Sequence, residues 1–129
     1  MEYDYLKIAG KPAIVTGGGR GIGRATALAL GRFGAKVMIC DVHDDWGESA
    51  VKEIRDHGGV AEYRHCDVAD PEQVKALVAA TVEVFGDVDI LVNNAGIGSV
   101  SLPFEEITDE DWDRMLRVDL TAPFYLCRE

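Results

Sequence analysis

A run of glycines constrains the fold of this chain more than any other feature. Five of the seven residues from Gly17 to Gly23 are glycine, and they join a short apolar run, 13–16, to a helical pattern that ends at Gly34. The apolar run is typical of a buried strand. Glycines at a strand-to-helix junction allow a tight turn and leave room for a phosphate beside the N–H groups of the helix N-terminus. The run predicts a phosphate-binding loop, with a merely flexible turn as the alternative.

The spacing of these glycines differs from two common phosphate-binding motifs. From Gly17 the pattern is G-x-x-x-G-x-G with Ile at position 22, so it is not G-x-G-x-x-G. No Gly-Lys-Ser/Thr follows, which excludes the P-loop of nucleoside triphosphatases.

Apolar runs and helical patterns alternate along the rest of the chain. The predicted strands are residues 13–16, 36–40, 62–66 and 88–92, of which the third is less apolar and is expected nearer a sheet edge. Strand–helix alternation at these lengths implies right-handed βαβ units and a parallel sheet with helices on both faces. The sequence therefore predicts a Rossmann-type, doubly wound α/β fold of four strands and four helices, ending before a fifth strand.

Caps and apolar periodicity locate the helices between these strands. In the first helix, the expected apolar face is Ile22, Ala25, Ala29 and Phe33. Asp70 is expected to cap the third helix, with Pro71 in its first turn and Gln73 bonding back. Thr108 and Asp111 resemble a capping box that opens a fourth helix, which runs to the C-terminus.

Composition excludes several classes of protein. The 129 residues carry 13 Lys+Arg against 23 Asp+Glu, a net charge of −10, and 47% are hydrophobic, which suits one folded domain over residues 1–129. This acidity argues against nucleic acid or an anionic membrane as partner, and no apolar run approaches the ~18 residues of a membrane span. Three cysteines are too few for a disulfide framework, and no metal-ligand spacing occurs. We therefore expect a cytoplasmic protein without a metal site, in which Cys40 and Cys66 are small buried hydrophobes.

Asp41 ends the second predicted strand, 18 residues after Gly23. A carboxylate at about this distance can accept hydrogen bonds from both ribose hydroxyls of an adenosine and repels a 2′-phosphate. Asp41 therefore favours NAD over NADP. A turn residue or a helix N-terminal charge is the alternative, and the glycine loop favours the cofactor role. Arg20 in the glycine loop weakens this preference, because a guanidinium can pair with a phosphate.

Four ordered motifs resemble those of the short-chain dehydrogenases/reductases. They are Thr16-Gly17-x-x-x-Gly21-Ile22-Gly23, Cys66-Asp67-Val68, Asn93-Asn94-Ala95-Gly96, and the fourth-helix region with Asp111-Trp112-Asp113 and Val118-Asp119-Leu120-Thr121. The resemblance covers essentially the whole chain. It implies a Rossmann oxidoreductase that moves hydride between NAD(P) and a small-molecule alcohol or carbonyl substrate.

The resemblance also implies the roles of individual residues. The pyrophosphate would be surrounded by Gly17, Arg20, Gly21, Ile22 and Gly23. The adenosine would be held by Asp41 at the ribose and by Asp67 and Val68 at the adenine. The nicotinamide side would be lined by Asn93, Ala95 and Gly96, with Val118 nearby.

The chain departs from the family pattern in its catalytic residues. Asp119 stands where the family has an Asn whose backbone carbonyl holds a water, and Pro123, four residues on, has no N–H to occupy that carbonyl. The family's catalytic Ser and its Tyr-x-x-x-Lys pair follow the fifth strand. This sequence ends before that strand, and no Tyr-x-x-x-Lys occurs after Gly96. The match at Tyr3 and Lys7 precedes the first strand and is interpreted as chance. Ser99 and Ser101 are expected near the carboxyl edge of the sheet, where the site is predicted, but no base is placed to activate them.

Three functional hypotheses follow from these patterns. The first is an NAD-dependent oxidoreductase represented by its cofactor-binding half, the chain alone being inactive. The second is a non-catalytic dinucleotide-binding module. The third, a flavin or methyl-donor binder using the same loop, is disfavoured by Asn93-Asn94-Ala95-Gly96. An unpaired edge beside the first and fourth strands would favour a homo-oligomer.

Overall fold

The computed structural model of the protein describes residues 4–98 and 102–129. It contains one four-stranded sheet in the order β3-β2-β1-β4, and each neighbouring pair is parallel. The strands are β1 (Pro12–Thr16), β2 (Lys36–Asp41), β3 (Val60–His65) and β4 (Ile90–Val92). The less apolar third strand lies at a sheet edge, as predicted.

The helices follow the strands in alternation. They are α1 (Gly21–Arg32), α2 (Asp44–Asp56), α3 (Pro71–Phe85), α4 (Asp109–Leu116) and α5 (Ala122–Arg128), with short 3₁₀ turns at Asp4–Leu6 and Phe104–Glu106. The Rossmann-type, doubly wound α/β fold is therefore confirmed.

Alternate residues of the central strands β1 and β2 enter different apolar clusters, because successive side chains point to opposite faces of a sheet. Ile14 and Cys40 pack with residues of α3 and α5, including Leu77 and Leu126. Their strand neighbours enter a second cluster with residues of α1 and α2. Both faces of the sheet are therefore covered, which explains why its central strands read as continuous apolar runs.

The predicted bounds of the third and fourth strands were wrong. The third strand is 60–65 rather than 62–66, and the fourth begins at Ile90 rather than at Val88. The Asp87 carboxylate accepts the Val88 N–H at 2.8 Å, so this N–H is not available to a neighbouring strand. A local side-chain bond thus competes with the sheet at this strand's start.

The predicted apolar face of α1 was also wrong. Ile22 is 80% exposed, and the fully buried residues of this helix are Gly23, Ala27 and Gly31. A Cβ at position 31 would lie 2.8 Å from Cγ2 of Ile54. The helix approaches its neighbours so closely that its buried residues are its smallest, while Leu28 and Leu30 pack at the margin of the core.

The predicted caps of the third and fourth helices form, with one difference. The Asp70 carboxylate accepts from the N–H groups of Glu72 and Gln73, and Thr108 and Asp111 make a reciprocal capping box. Gln73, however, does not bond back to the cap backbone. Its Oε1 accepts the N–H of Asp67 at 2.8 Å, while its Nε2 donates to the Asp70 carboxylate at 3.1 Å. Gln73 thereby ties the start of α3 to the loop after β3.

A π-helical segment, Arg117–Thr121, connects α4 to α5. Within it the N–H of Ala122 donates to the carbonyl of Arg117, five residues earlier. Pro123 follows directly and has no N–H to donate to the carbonyl of Val118 or Asp119. Such wide turns occur mostly as single interruptions of α-helices, frequently at functional sites.

Candidate functional site

A cavity of about 550 Å³ opens at the carboxyl ends of the four strands. Most of the residues that sequence reasoning singled out line it together: Gly17, Arg20, Gly21, Asp41, Asp67, Val68, Ala95, Gly96 and Val118. Its other lining residues are Val42, His43, Trp46, Cys66, Ala69, Asn94, Ile97, Arg114 and Arg117. In open α/β sheets this edge is where ligands bind.

Four of the singled-out residues do not line this cavity. Gly23 is buried inside α1, and Ile22 beside it projects into solvent. Asn93 donates from Nδ2 to the Cys127 sulfur at 3.7 Å. Asp119 accepts the N–H of Ile97 on Oδ1 at 2.9 Å, so it acts on the loop after β4. Ser99 and Ser101, like Tyr3, lie outside the described residues.

Thr16 and Asn94 fasten the carboxyl end of β1 to the loop after β4. The buried Thr16 hydroxyl accepts the N–H groups of Asn94 and Ala95 at 3.0 and 2.9 Å and donates to the Val92 carbonyl at 3.3 Å. The Asn94 amide Nδ2 donates to the carbonyls of Thr16 and Gly17 at 3.0 and 3.2 Å. These bonds hold the glycine loop and the loop after β4 in one arrangement. The sequence analysis gave neither residue a role.

The glycine loop has a conformation and a packing that only glycine allows at two points. Gly17 has φ of +61°, and a Cβ there would lie 3.0 Å from the Ala95 Cα. A Cβ at Gly23 would overlap both the Gly17 carbonyl and the Asn94 amide. The first turn of α1 is therefore pressed against the Gly17 carbonyl and the loop after β4.

Asp41 lies at the end of β2, is 8% exposed, and forms a hydrogen bond with the glycine loop. Its Oδ2 accepts the Gly19 N–H at 3.0 Å, and its Oδ1 accepts the His43 N–H at 3.0 Å. A carboxylate oxygen has more than one acceptor direction, so hydroxyl donors can still reach this side chain from the cavity. Asp41 thus positions the loop and presents negative charge to the cavity.

An aromatic stack flanks Asp41. The rings of His43 and Trp46 stack with centroids 3.9 Å apart, and the Arg20 guanidinium lies 4.6 Å from the Trp46 ring centroid. Contact with the ring face favours this position of the cation. Trp46 and His43 were not singled out from sequence; the aromatic residue just after the Asp41 turn was the available signal.

The prediction that Cys40 and Cys66 are buried is confirmed, since they are 0% and 2% exposed. A hydrogen bond with the Cys66 thiol and then burial raise the pKa of Cys40. Within residues 4–98 and 102–129, no cluster of three or more His, Cys, Asp or Glu side chains is arranged to hold a metal ion. No helix in the described part of the chain has the length and apolarity to cross a membrane.

The comparisons with known proteins agree with this geometry. Residues 11–129 match the family model of the short chain dehydrogenases. An oxidoreductase of Thermotoga maritima is 43% identical over 93% of the chain, and a 2,5-dichloro-2,5-cyclohexadiene-1,4-diol dehydrogenase of Sphingobium indicum is 44% identical over the same share. The chain covers 46% of each, so it spans about half the length of these relatives.

A solved structure gives the same result in three dimensions. A metagenomic short-chain oxidoreductase in complex with NADP superposes with a TM-score of 0.89 at 36% identity, covering 94% of this chain and 55% of that one. With the family model matching almost the entire sequence, the chain belongs to the short chain dehydrogenase family.

Proposed function

We propose that residues 1–129 form one dinucleotide-binding domain of an oxidoreductase that transfers hydride between NAD(H) and an alcohol or carbonyl substrate. The observation that carries the proposal is the cavity at the sheet's carboxyl edge, bounded by the glycine loop on one side and by Asp41 and Asp67 on another. The family membership and the names of the relatives support the reaction class.

The residues around the cavity fit a dinucleotide. The absence of Cβ atoms at Gly17 and Gly23 lets the loop pack closely against Asn94 and Ala95. The N–H groups of the first turn of α1 would then bind a pyrophosphate. Asp41 would accept the adenosine ribose hydroxyls, and Asp67 with Val68 would flank the adenine. Ala95 and Gly96 would lie beside the nicotinamide, which exchanges hydride with the substrate.

Asp119 would act in this reaction through its backbone carbonyl, while its side chain holds the loop after β4. Its side chain holds the Ile97 N–H, and Pro123 supplies no N–H to its backbone carbonyl. We assign that carbonyl as the acceptor for a water in proton transfer, as in the family's Asn position. The carboxylate itself would keep the loop after β4 in place.

Preference for NAD over NADP rests on Asp41. The Asp41 carboxylate, which accepts two backbone N–H groups at the edge of the cavity, would repel a 2′-phosphate. Arg20 opposes this preference, but its guanidinium lies over Trp46.

Calorimetric dissociation constants for NADH and NADPH test the preference. We expect the wild type to bind NADH more tightly than NADPH. Asp41→Ser should narrow the difference between the two binding free energies by at most roughly 1.5–3 kcal/mol, the range of hydrogen bonds to a charged group. Asp41→Asn keeps the size of the side chain without its charge and should act in the same direction. Asp45→Ser, which removes a neighbouring carboxylate that does not line the cavity, is the matched control. Equal or tighter NADPH binding by the wild type would contradict the assignment and give the role to Arg20.

A further inference from the structure

Arg114 and Arg117 line the dinucleotide cavity, although neither has a role so far. Arg114 lies in the last turn of α4, and Arg117 begins the π-helical segment. Residues three apart on a helix share a face. One helix surface therefore carries both residues to the cavity.

Neither arginine has a protein partner within the described residues. Of the 13 lysines and arginines, six form ion pairs with described residues: Lys11, Arg24, Lys52, Arg55, Lys75 and Arg128. Arg114 and Arg117 form no ion pair and no side-chain hydrogen bond in this part of the chain. The Arg20 guanidinium lies over the Trp46 ring and forms no ion pair with any described residue. Three cations without an anionic partner thus meet at one cavity.

The charge of the cavity is opposite to that of the chain. Its lining holds three arginines and two aspartates, Asp41 and Asp67, whereas the whole chain has a net charge of −10. A dinucleotide carries a negative pyrophosphate and approaches a protein that repels it at long range. A local positive wall counteracts that repulsion and raises the rate of encounter.

The pair is also unfavourable for the helix itself. Like charges three residues apart repel, and an anion between them removes the repulsion. A purely structural role for Arg114 and Arg117 would predict that their removal destabilises the fold. An anion-binding role predicts that removal leaves the melting temperature unchanged or raises it.

From this arrangement we infer that Arg114 and Arg117 are binding residues that capture the anionic dinucleotide electrostatically. The inference rests on the proposed function. The two arginines would attract the dinucleotide through their charge, in addition to the backbone N–H groups of the glycine loop.

The test compares NADH binding by wild type and by the double variant Arg114→Gln/Arg117→Gln at about 20 and about 300 mM NaCl. We expect the double variant to bind about threefold to tenfold more weakly at low salt and to approach wild type at high salt, because salt screens exposed charges. Its association rate should fall, and its melting temperature should not. The Arg114→Lys/Arg117→Lys variant should retain most of the affinity.

Arg32→Gln is the matched control, since Arg32 also has no partner in the described part of the chain and does not line the cavity. It should leave NADH binding unchanged at both salt concentrations. Equal NADH binding by wild type and the double variant, or a loss that is the same at both salt concentrations, would overturn the inference while leaving the proposed function standing. A wild type that binds neither NADH nor NADPH would overturn both.

Discussion

At the scale of single residues, Gly23 is the position of the glycine loop with the least room for an added side chain. Gly23→Ala places a methyl group against the Gly17 carbonyl and the Asn94 amide, so the loop or the helix must shift. We expect overpacking to lower the free energy of unfolding by about 1–3 kcal/mol, partly offset by the better helix propensity of Ala. NADH affinity should fall by about tenfold or more, because the shifted groups include the phosphate loop. Urea denaturation and calorimetry measure the two effects.

Gly98→Ala is the control for this prediction. A Cβ at Gly98 would meet no described atom within 4 Å, so both quantities should stay near wild type. Unchanged NADH affinity in a folded Gly23→Ala variant would move the phosphate site away from this loop.

At the scale of elements, the N-terminal cap of α3 predicts a pH dependence of stability. Hydrogen bonds from the Gln73 side chain and from the Glu72 N–H lower the pKa of Asp70 in the folded chain. A carboxylate with a lowered folded-state pKa stabilises the fold above its unfolded value of about 3.9 and loses that contribution as the pH falls through the folded-state value. Wild type should therefore exceed Asp70→Ala in stability at neutral pH, and the difference should shrink below about pH 4.

Urea denaturation of both proteins between about pH 7 and pH 2.5 measures this difference. Asp113→Ala removes a carboxylate on α4 that has no hydrogen-bond partner among the described residues, and it should show no comparable pH-dependent difference. A gap between wild type and Asp70→Ala that stays constant into acid would argue against the cap as its source.

At the scale of the whole molecule, the proposed cofactor site lacks the base that the reaction needs. Transfer of hydride from an alcohol requires a base near the hydroxyl, with a pKa close to the working pH. No Tyr-x-x-x-Lys follows Gly96 in this sequence, and Asp119 is committed to the Ile97 N–H. We therefore expect no turnover by this chain alone in a nicotinamide absorbance assay with secondary alcohols and ketones. Turnover that is lost in Asp119→Ala would identify Asp119 as a catalytic group.

Local sequence was sufficient to predict the elements and the edge of the sheet at which the site lies. Periodicity, the Asp70 and Thr108 caps and the glycine run involve residues that are neighbours along the chain, so the signals that specify them are contiguous. Parallel strands then place all their carboxyl ends at one edge, and this alone brought Gly17, Asp41, Asp67 and Ala95 to one cavity.

Only the tertiary structure decided which side chains connect the loops and helices around the cavity. Asn94 meets Thr16 from 78 residues away, and the burial of Gly23 and Gly31 in place of Ile22 depends on how closely α1 approaches its neighbours. Arg114 and Arg117 line the cavity from α4 and the π-helical segment, a placement that no local pattern indicated. Periodicity records which residues are apolar, whereas the distance between packed elements determines which of them have room to be buried.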